Sequence, residues 1–162
     1  VVLPTSTGKG VVLGKIAADA VKQWNGRVLI LAHVKELLQQ NAEKLQALCP
    51  GLDVGMYSAG LQRRDTDSPI LVAGIQSVYA RACELFSSKP FDLILIDESH
   101  LIAPDGEGMY RKFLTDAKVV NPNLRVIGFT ATPYRLKGGE ICFHTWPAGR
   151  YPPQVLWPVV WR

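Results

Sequence analysis

The sequence predicts an α/β protein built around a mainly parallel β-sheet. Short, uninterrupted apolar runs recur along the 162 residues, and segments of helical periodicity separate them. The run Phe91-Asp92-Leu93-Ile94-Leu95-Ile96 ends abruptly in two carboxylates, Asp97 and Glu98. An apolar strand of this kind is buried on both faces, and parallel strands deliver chemistry at their carboxyl ends.

The elements follow in order. A turn, Leu3-Pro4-Thr5-Ser6-Thr7-Gly8-Lys9-Gly10, opens a first helix in which Val12, Ile16, Ala20 and Trp24 recur every four residues. Asn25-Gly26 stops it. Val28 to Ala32 reads as a strand. A second helix carries the stripe Val34, Leu37, Leu38, Leu45 and Leu48 and ends at Cys49-Pro50-Gly51. Short strands are expected near 53–57 and 70–73, with a polar loop over 58–69. A single helix is expected from Ile75 to about Leu85, then the strand before Asp97. A loop rich in Gly and acid (104–108), a helix around 110–117 and a strand over 125–129 complete the pattern. No internal repeat is visible.

Beyond Glu140 the composition changes. Acidic residues and lysines disappear, while three of the four tryptophans and four of the eleven prolines gather there. Tyr151-Pro152-Pro153 and Trp157-Pro158 cannot continue a helix or a central strand. The expected division is therefore a domain over 1–139 and an atypical tail over 140–162.

Composition narrows the function classes. Nearly half the residues are hydrophobic (48%) and a fifth charged (20%), as in an ordinary globular domain. No apolar stretch approaches the roughly 20 residues of a membrane span, so no membrane partner is expected. The opening Val1-Val2-Leu3, without methionine or signal peptide, reads as a fragment start. A formal charge of +4 permits a polyanion partner without demanding one. Cys49, Cys83 and Cys142 are odd in number and lack C-x-x-C spacing, which fits a reducing, cytoplasmic setting better than a zinc site.

Two motifs carry the chemistry. In Pro4-Thr5-Ser6-Thr7-Gly8-Lys9-Gly10, Gly8 lets backbone amides approach phosphate oxygens, and Lys9 adds a cation at the helix start. The alternative is a Thr/Ser-rich turn with a solvated lysine. Asp97 and Glu98 suit a magnesium-holding carboxylate and a general base for an attacking water; the alternative is a strand-end pair capping the next helix. Thr130-Ala131-Thr132-Pro133 follows another apolar strand, whose end would bring its hydroxyls near His100. That segment also reads as a turn closed by Pro133.

Taken as an ordered set, Leu-Pro-Thr-x-x-Gly-Lys, Ala-His-x-Lys-Glu-Leu, Gln-Ser, Asp-Glu-x-His and Thr-Ala-Thr-Pro resemble the first motor domain of superfamily-two helicases. Within these, Arg27 to Leu37 and Phe129 to Arg135 look most like the bacterial RadD-type DNA-repair group. The resemblance spans about residues 1–139. It implies a RecA-like P-loop NTPase fold, a three-layer sandwich, with ATP and Mg²⁺ as cofactors and DNA or RNA as a sequence-nonspecific partner. A bacterial, nucleoid-associated location goes with it.

Carried over by position, Lys9 matches the phosphate lysine, Asp97 the magnesium residue and Glu98 the catalytic base. His100, Thr130 and Thr132 match residues coupling hydrolysis to domain movement. Lys35, Gln76 and Ser77 match nucleic-acid contacts. The chain departs from the pattern at Ser6, where a glycine is usual, and at Gly10, where a magnesium-binding hydroxyl is usual. The adenine-reading segment, most of the first strand and the second motor domain with its arginine finger are not within these residues.

Overall fold

The computed structural model describes residue 1, residues 8–102 and residues 108–131. Five α-helices and six strands alternate along these residues: α1 (Lys9–Trp24), β1 (Val28–Ala32), α2 (Lys35–Leu48), β2 (Val54–Ser58), β3 (Arg63–Arg64), β4 (Ile70–Gly74), α3 (Ile75–Val78), α4 (Ala82–Phe86), β5 (Leu93–Ile96), α5 (Met109–Val120) and β6 (Arg125–Gly128). The sheet order is β3-β2-β4-β1-β5-β6. Every pairing is parallel except β2 with β3. The expected α/β class with a mainly parallel sheet is therefore the observed one.

The three layers follow from the two-residue period of a strand. Leu29 and Leu31 of β1 point into a core with Leu71, Ala73, Ile94 and Ile96, closed by α3, α4 and α5 through Val78, Phe86 and Phe113. Val28, Ile30 and Ala32 point the other way, with Ile70, Val72 and Leu95, against Leu13 and Ala17 of α1 and Leu38 and Leu45 of α2. All five β1 side chains are fully buried. Burying one such aliphatic side chain stabilises by about 1.5–3 kcal/mol, so the two cores anchor the central strands firmly.

Both long helices bury only part of the stripe that their spacing implied: Ala20, Leu38 and Leu45 face inward as expected. On α1 the buried residues are Leu13, Gly14, Ala17, Ala18 and Ala20, while Val12 and Trp24 are exposed. At about 100° per residue, a four-residue spacing drifts by about 40° each step, so Val12 and Trp24 lie about 120° apart. The inward face is made of small residues instead. A Cβ on Gly14 would come within 3.2 Å of the Leu48 side chain, so α1 and α2 pack close. On α2, Val34 and Leu48 are exposed, and the buried line is Leu38, Asn41, Ala42 and Leu45. Helix α1 ends where Asn25 adopts the left-handed conformation (φ 50°) and its N–H reaches the Ala20 carbonyl.

Two further expectations are corrected. The loop over 58–69 contains a 3₁₀ turn (Ala59–Leu61) and the antiparallel strand β3, paired through Tyr57 with Arg64 and Ser58 with Arg63. The helix expected from Ile75 to Leu85 is two short helices, α3 and α4, broken at 79–81. At the break Arg81 donates to the Tyr57 hydroxyl and to both oxygens of Glu84. The turns still present Ile75, Val78, Ala82 and Phe86 to one core, which explains the helical periodicity.

The parallel register brings the ends of β1, β4, β5 and β6 to one edge of the sheet. Val1 joins that edge beside β6, its nitrogen donating to the Gly128 carbonyl and its carbonyl accepting from Thr130 N–H. This is the hydrogen-bond pattern of a parallel neighbour. No helix among the described residues is long and apolar enough to cross a membrane. The tail expected over 140–162 lies outside the described residues.

Candidate functional site

Among the described residues no side chain caps the start of helix α1, and its first turn holds no acidic residue. Its N-cap is Gly8, left-handed at φ 79°, whose carbonyl accepts the N–H groups of Val11 and Val12. A side chain is strained at that φ, which accounts for glycine here. The amino end of the helix dipole is thus offered to an anion from outside.

Lys9, the first residue of α1, reaches across to the end of β5. Its ammonium is 2.5 Å from Glu98 Oε1 and 3.6 Å from Asp97 Oδ1. The Asp97 carboxylate is buried. Its Oδ1 accepts the Glu98 backbone N–H at 3.0 Å, and its Oδ2 accepts Nδ2 of Asn41 at 3.1 Å. Across the sheet, burial first and the Asp97 charge second push the Tyr110 phenol well above its ordinary range. The Tyr110 hydroxyl is buried with no hydrogen-bond partner among the described residues.

Glu98 is held in a left-handed backbone conformation at φ 54°. For a non-glycine residue this costs about 1–3 kcal/mol and persists only where surrounding contacts enforce it. Here they do. A 3₁₀ turn, Ser99–Leu101, follows directly, and Ser99 N–H donates to the Phe129 carbonyl at 2.8 Å. This brings the turn down onto β6, where a Cβ on Gly128 would lie 2.7 Å from that of Ser99. Only glycine permits the approach. The same turn sets His100 Nδ1 2.9 Å from Thr130 Oγ1 and 3.2 Å from Glu98 Oε2. A protonated Nδ1 can donate to the carboxylate, whereas an unprotonated one can only accept from the threonine hydroxyl, so which neighbour the imidazole bonds depends on its tautomer.

Lys9, Asp97, Glu98, His100 and Thr130 therefore form one connected group, with Gly8 and Gly10 at its margin. Lys35, Gln76 and Ser77 lie along the same edge, on the β1–β4 half. Lys35 is exposed at the start of α2, and Gln76 is exposed in α3. Ser77 Oγ accepts the N–H of Ala59 at 3.0 Å, tying α3 to the turn after β2. Pro4, Thr5, Ser6, Thr7 and Thr132 lie outside the described residues.

Two contributors escaped the sequence reading. Asn41 left a faint signal: it is a polar residue three after Leu38 and four before Leu45, on the inward face of α2. Gly128 left none, because its neighbour Ser99 is set by strand pairing.

The donor set fits a nucleotide carrying a hard divalent cation. Carboxylate oxygens converge with a lysine beside open helix amides, and Mg²⁺ commonly takes one or two carboxylates and completes its shell with phosphate and water. No group of three or more His, Cys, Asp or Glu that could hold a metal occurs among the described residues, as that mode of binding allows. Gly10 supplies no hydroxyl. Among the described residues a Cβ there would meet only Cδ of the flexible Lys44 side chain, at 3.4 Å, so their packing does not forbid one.

Known proteins share the sequence pattern and the fold of this chain. Residues 1–135 match the family described as "Type III restriction enzyme, res subunit". The chain is 32% identical over 117 residues to the Saccharomyces cerevisiae protein named "Putative ATP-dependent helicase IRC3", covering 68% of this chain and 16% of that protein. Two structures of UvsW from bacteriophage T4 share the fold at a TM-score of 0.64 and 21% identity. They cover 81% and 82% of this chain, against 26% and 46% of their own. The chain thus spans less than half of each relative.

Proposed function

The chain belongs to the family of type III restriction enzyme res subunits, a superfamily-two helicase amino-terminal domain, and on that premise we propose that it is the ATP-binding and ATP-hydrolysing half of a DNA helicase or translocase motor. The observation that carries the reading is the cluster at the sheet edge, Lys9 between Asp97 and Glu98 with His100 bridging to Thr130. In this reading the domain spans 1–139, and the tail over 140–162 is not part of it.

Each residue then has a task. Gly8, the open amides of α1 and the segment 4–7 cradle the phosphates. Lys9 leaves its carboxylates for the β- and γ-phosphates, because a polyanion brings more negative charge to one ammonium than the two carboxylates do. Asp97 is the residue that would hold Mg²⁺, which when bound would neutralise charge developing on the phosphates. Glu98, released from Lys9, orients and deprotonates the attacking water. His100, touching both Glu98 and Thr130, reports the state of that carboxylate to β6, and Thr132 continues the relay. Lys35, Gln76 and Ser77 contact the nucleic-acid backbone, and the exposed Arg64 extends that basic edge. A second RecA-like domain supplies an arginine to the transition state. We place the work of this motor in DNA repair, in a bacterial cytoplasm near the nucleoid, by its likeness to the RadD-type group.

The test is Mg²⁺-dependent ATP hydrolysis with and without single-stranded DNA. Trace turnover, lost in Glu98→Gln, is expected of these residues alone, since an arginine supplied by a second domain accounts for about a thousandfold or more in such sites. Robust DNA-stimulated turnover by the chain alone would overturn the division of labour between two domains. A restriction motor subunit is favoured by the family description and would use the same engine. Gly10 favours a non-catalytic nucleotide-binding remnant, which would bind nucleotide and never turn it over.

A further inference from the structure

Among the described residues, Asn41 is the one hydrogen-bond donor that reaches the Asp97 carboxylate from another element of the fold. It lies on the buried line of α2, and its side-chain nitrogen meets Asp97 Oδ2 at 3.1 Å, with both residues over nine-tenths buried. An unpaired buried amide costs about 1–3 kcal/mol, so an asparagine among Leu38, Ala42 and Leu45 would be a poor choice for packing alone. The acceptor is a carboxylate and offers no donor in its ionised form, so the amide nitrogen must face it.

The other contacts of Asp97 do different work. The Glu98 N–H binds Oδ1 within the same turn and moves with it. Lys9, 3.6 Å from Oδ1, is the group that phosphate would draw away. Neither fixes the rotation of the carboxylate once Lys9 departs. Asn41 does, because it occupies Oδ2 from a helix packed against the sheet and leaves Oδ1 facing the side from which Lys9 approaches.

We propose that Asn41 is a positioning residue for Asp97, holding its carboxylate in the rotation that presents Oδ1 to a nucleotide-borne divalent cation. The inference rests on the proposed nucleotide site. Partners that orient a metal-binding carboxylate in this way typically change metal affinity by about 10–100-fold.

The experiment is calorimetry of ADP binding to the full chain across a Mg²⁺ titration, and again in EDTA, for wild type and Asn41→Leu. Leucine matches the volume and the apolar surroundings while removing the donor. The expected result is a rise of about tenfold or more in the Mg²⁺ concentration needed for tight binding, with metal-free ADP affinity within about twofold of wild type. Asn41→Ala removes the same donor without bulk and reads the same quantity should the leucine variant fold poorly. Unchanged Mg²⁺ dependence in the folded variants would overturn the assignment. Equal weakening with and without Mg²⁺ would overturn it too, by making Asn41 a packing residue. Should wild type bind no ADP at any Mg²⁺ concentration, the nucleotide site itself fails, a result separate from either of these.

Discussion

Lys9 and Lys35 each open a helix at the same edge of one sheet, yet their surroundings differ. Lys9 is drawn between two carboxylates at the end of β5, in a cluster where each charged group touches another. Lys35, on the β1–β4 half, is exposed, as is Gln76. A cation in the first turn of a helix opposes the dipole by about 0.3–1 kcal/mol. In Lys9 the carboxylates offset that cost; in Lys35 it is borne in solvent. The contrast suits two kinds of anion. A compact phosphate is best met by groups preorganised before it arrives, whereas a long, mobile polyanion is met by solvated cations that release counterions as it binds.

The sharpest way to break the first half is to remove its charges one at a time. Lys9→Ala is expected to abolish nucleotide binding, a loss of at least about a hundredfold by calorimetry, because phosphate loses its nearest cation and meets two uncompensated carboxylates. Glu98→Gln is expected to retain binding and lose hydrolysis, since general-base catalysis contributes about 10²–10⁴-fold. Equal loss of binding in both would mean that the cluster holds the fold rather than the ligand.

Gly128→Ala probes the same half through its backbone. The new methyl would meet Ser99, whose Cβ would lie 2.7 Å away, so the turn carrying Glu98 and His100 must shift. Overpacking of this kind costs about 1–3 kcal/mol. Thermal unfolding should register the loss, and nucleotide binding should weaken with it. A variant as stable as wild type would show that the turn is free to move.

Gly10→Thr sharpens the comparison from the other direction. The position has room for a Cβ beside Lys44, and the hydroxyl would add one direct Mg²⁺ ligand. Mg²⁺-dependent ADP affinity is expected to rise by about tenfold, with metal-free affinity unchanged. No gain would mean that the loop is not arranged around a magnesium-bearing phosphate.

The smallest effect belongs to the open half. Lys35→Ala is expected to weaken single-stranded DNA binding a few-fold, and to reduce the dependence of log K on log salt by about one unit. Titrations at several salt concentrations read this directly. Superimposable curves for variant and wild type would remove Lys35 from the interface.

How far the chain could be read in advance differs between these regions. Strand β1 was legible to the residue, because a strand covered on both faces has no polar position to confuse its bounds. The inward faces of α1 and α2 were legible only in part, through Ala20, Leu38 and Leu45. Spacing marks a helix without showing which side meets the sheet, and small residues such as Gly14 and Ala17 mark the close-packed side less visibly than Val12 or Trp24 suggest the wrong one. Strand β3 escaped notice because its two arginines have no apolar signature and are held by pairing with β2.

By itself, the sequence determined that an α/β layer would form and that Lys9, Asp97, Glu98 and His100 would stand where loops leave the strands, since apolar runs and local turn chemistry are short-range properties. Tertiary structure alone decided that Lys9 lies between the two carboxylates, that Asn41 holds the far oxygen of Asp97, and that Gly128 must have no side chain. Those contacts join residues from 29 to 89 positions apart, and which strand neighbours which is settled by burying both faces of one sheet, a condition that no local stretch of chain can express.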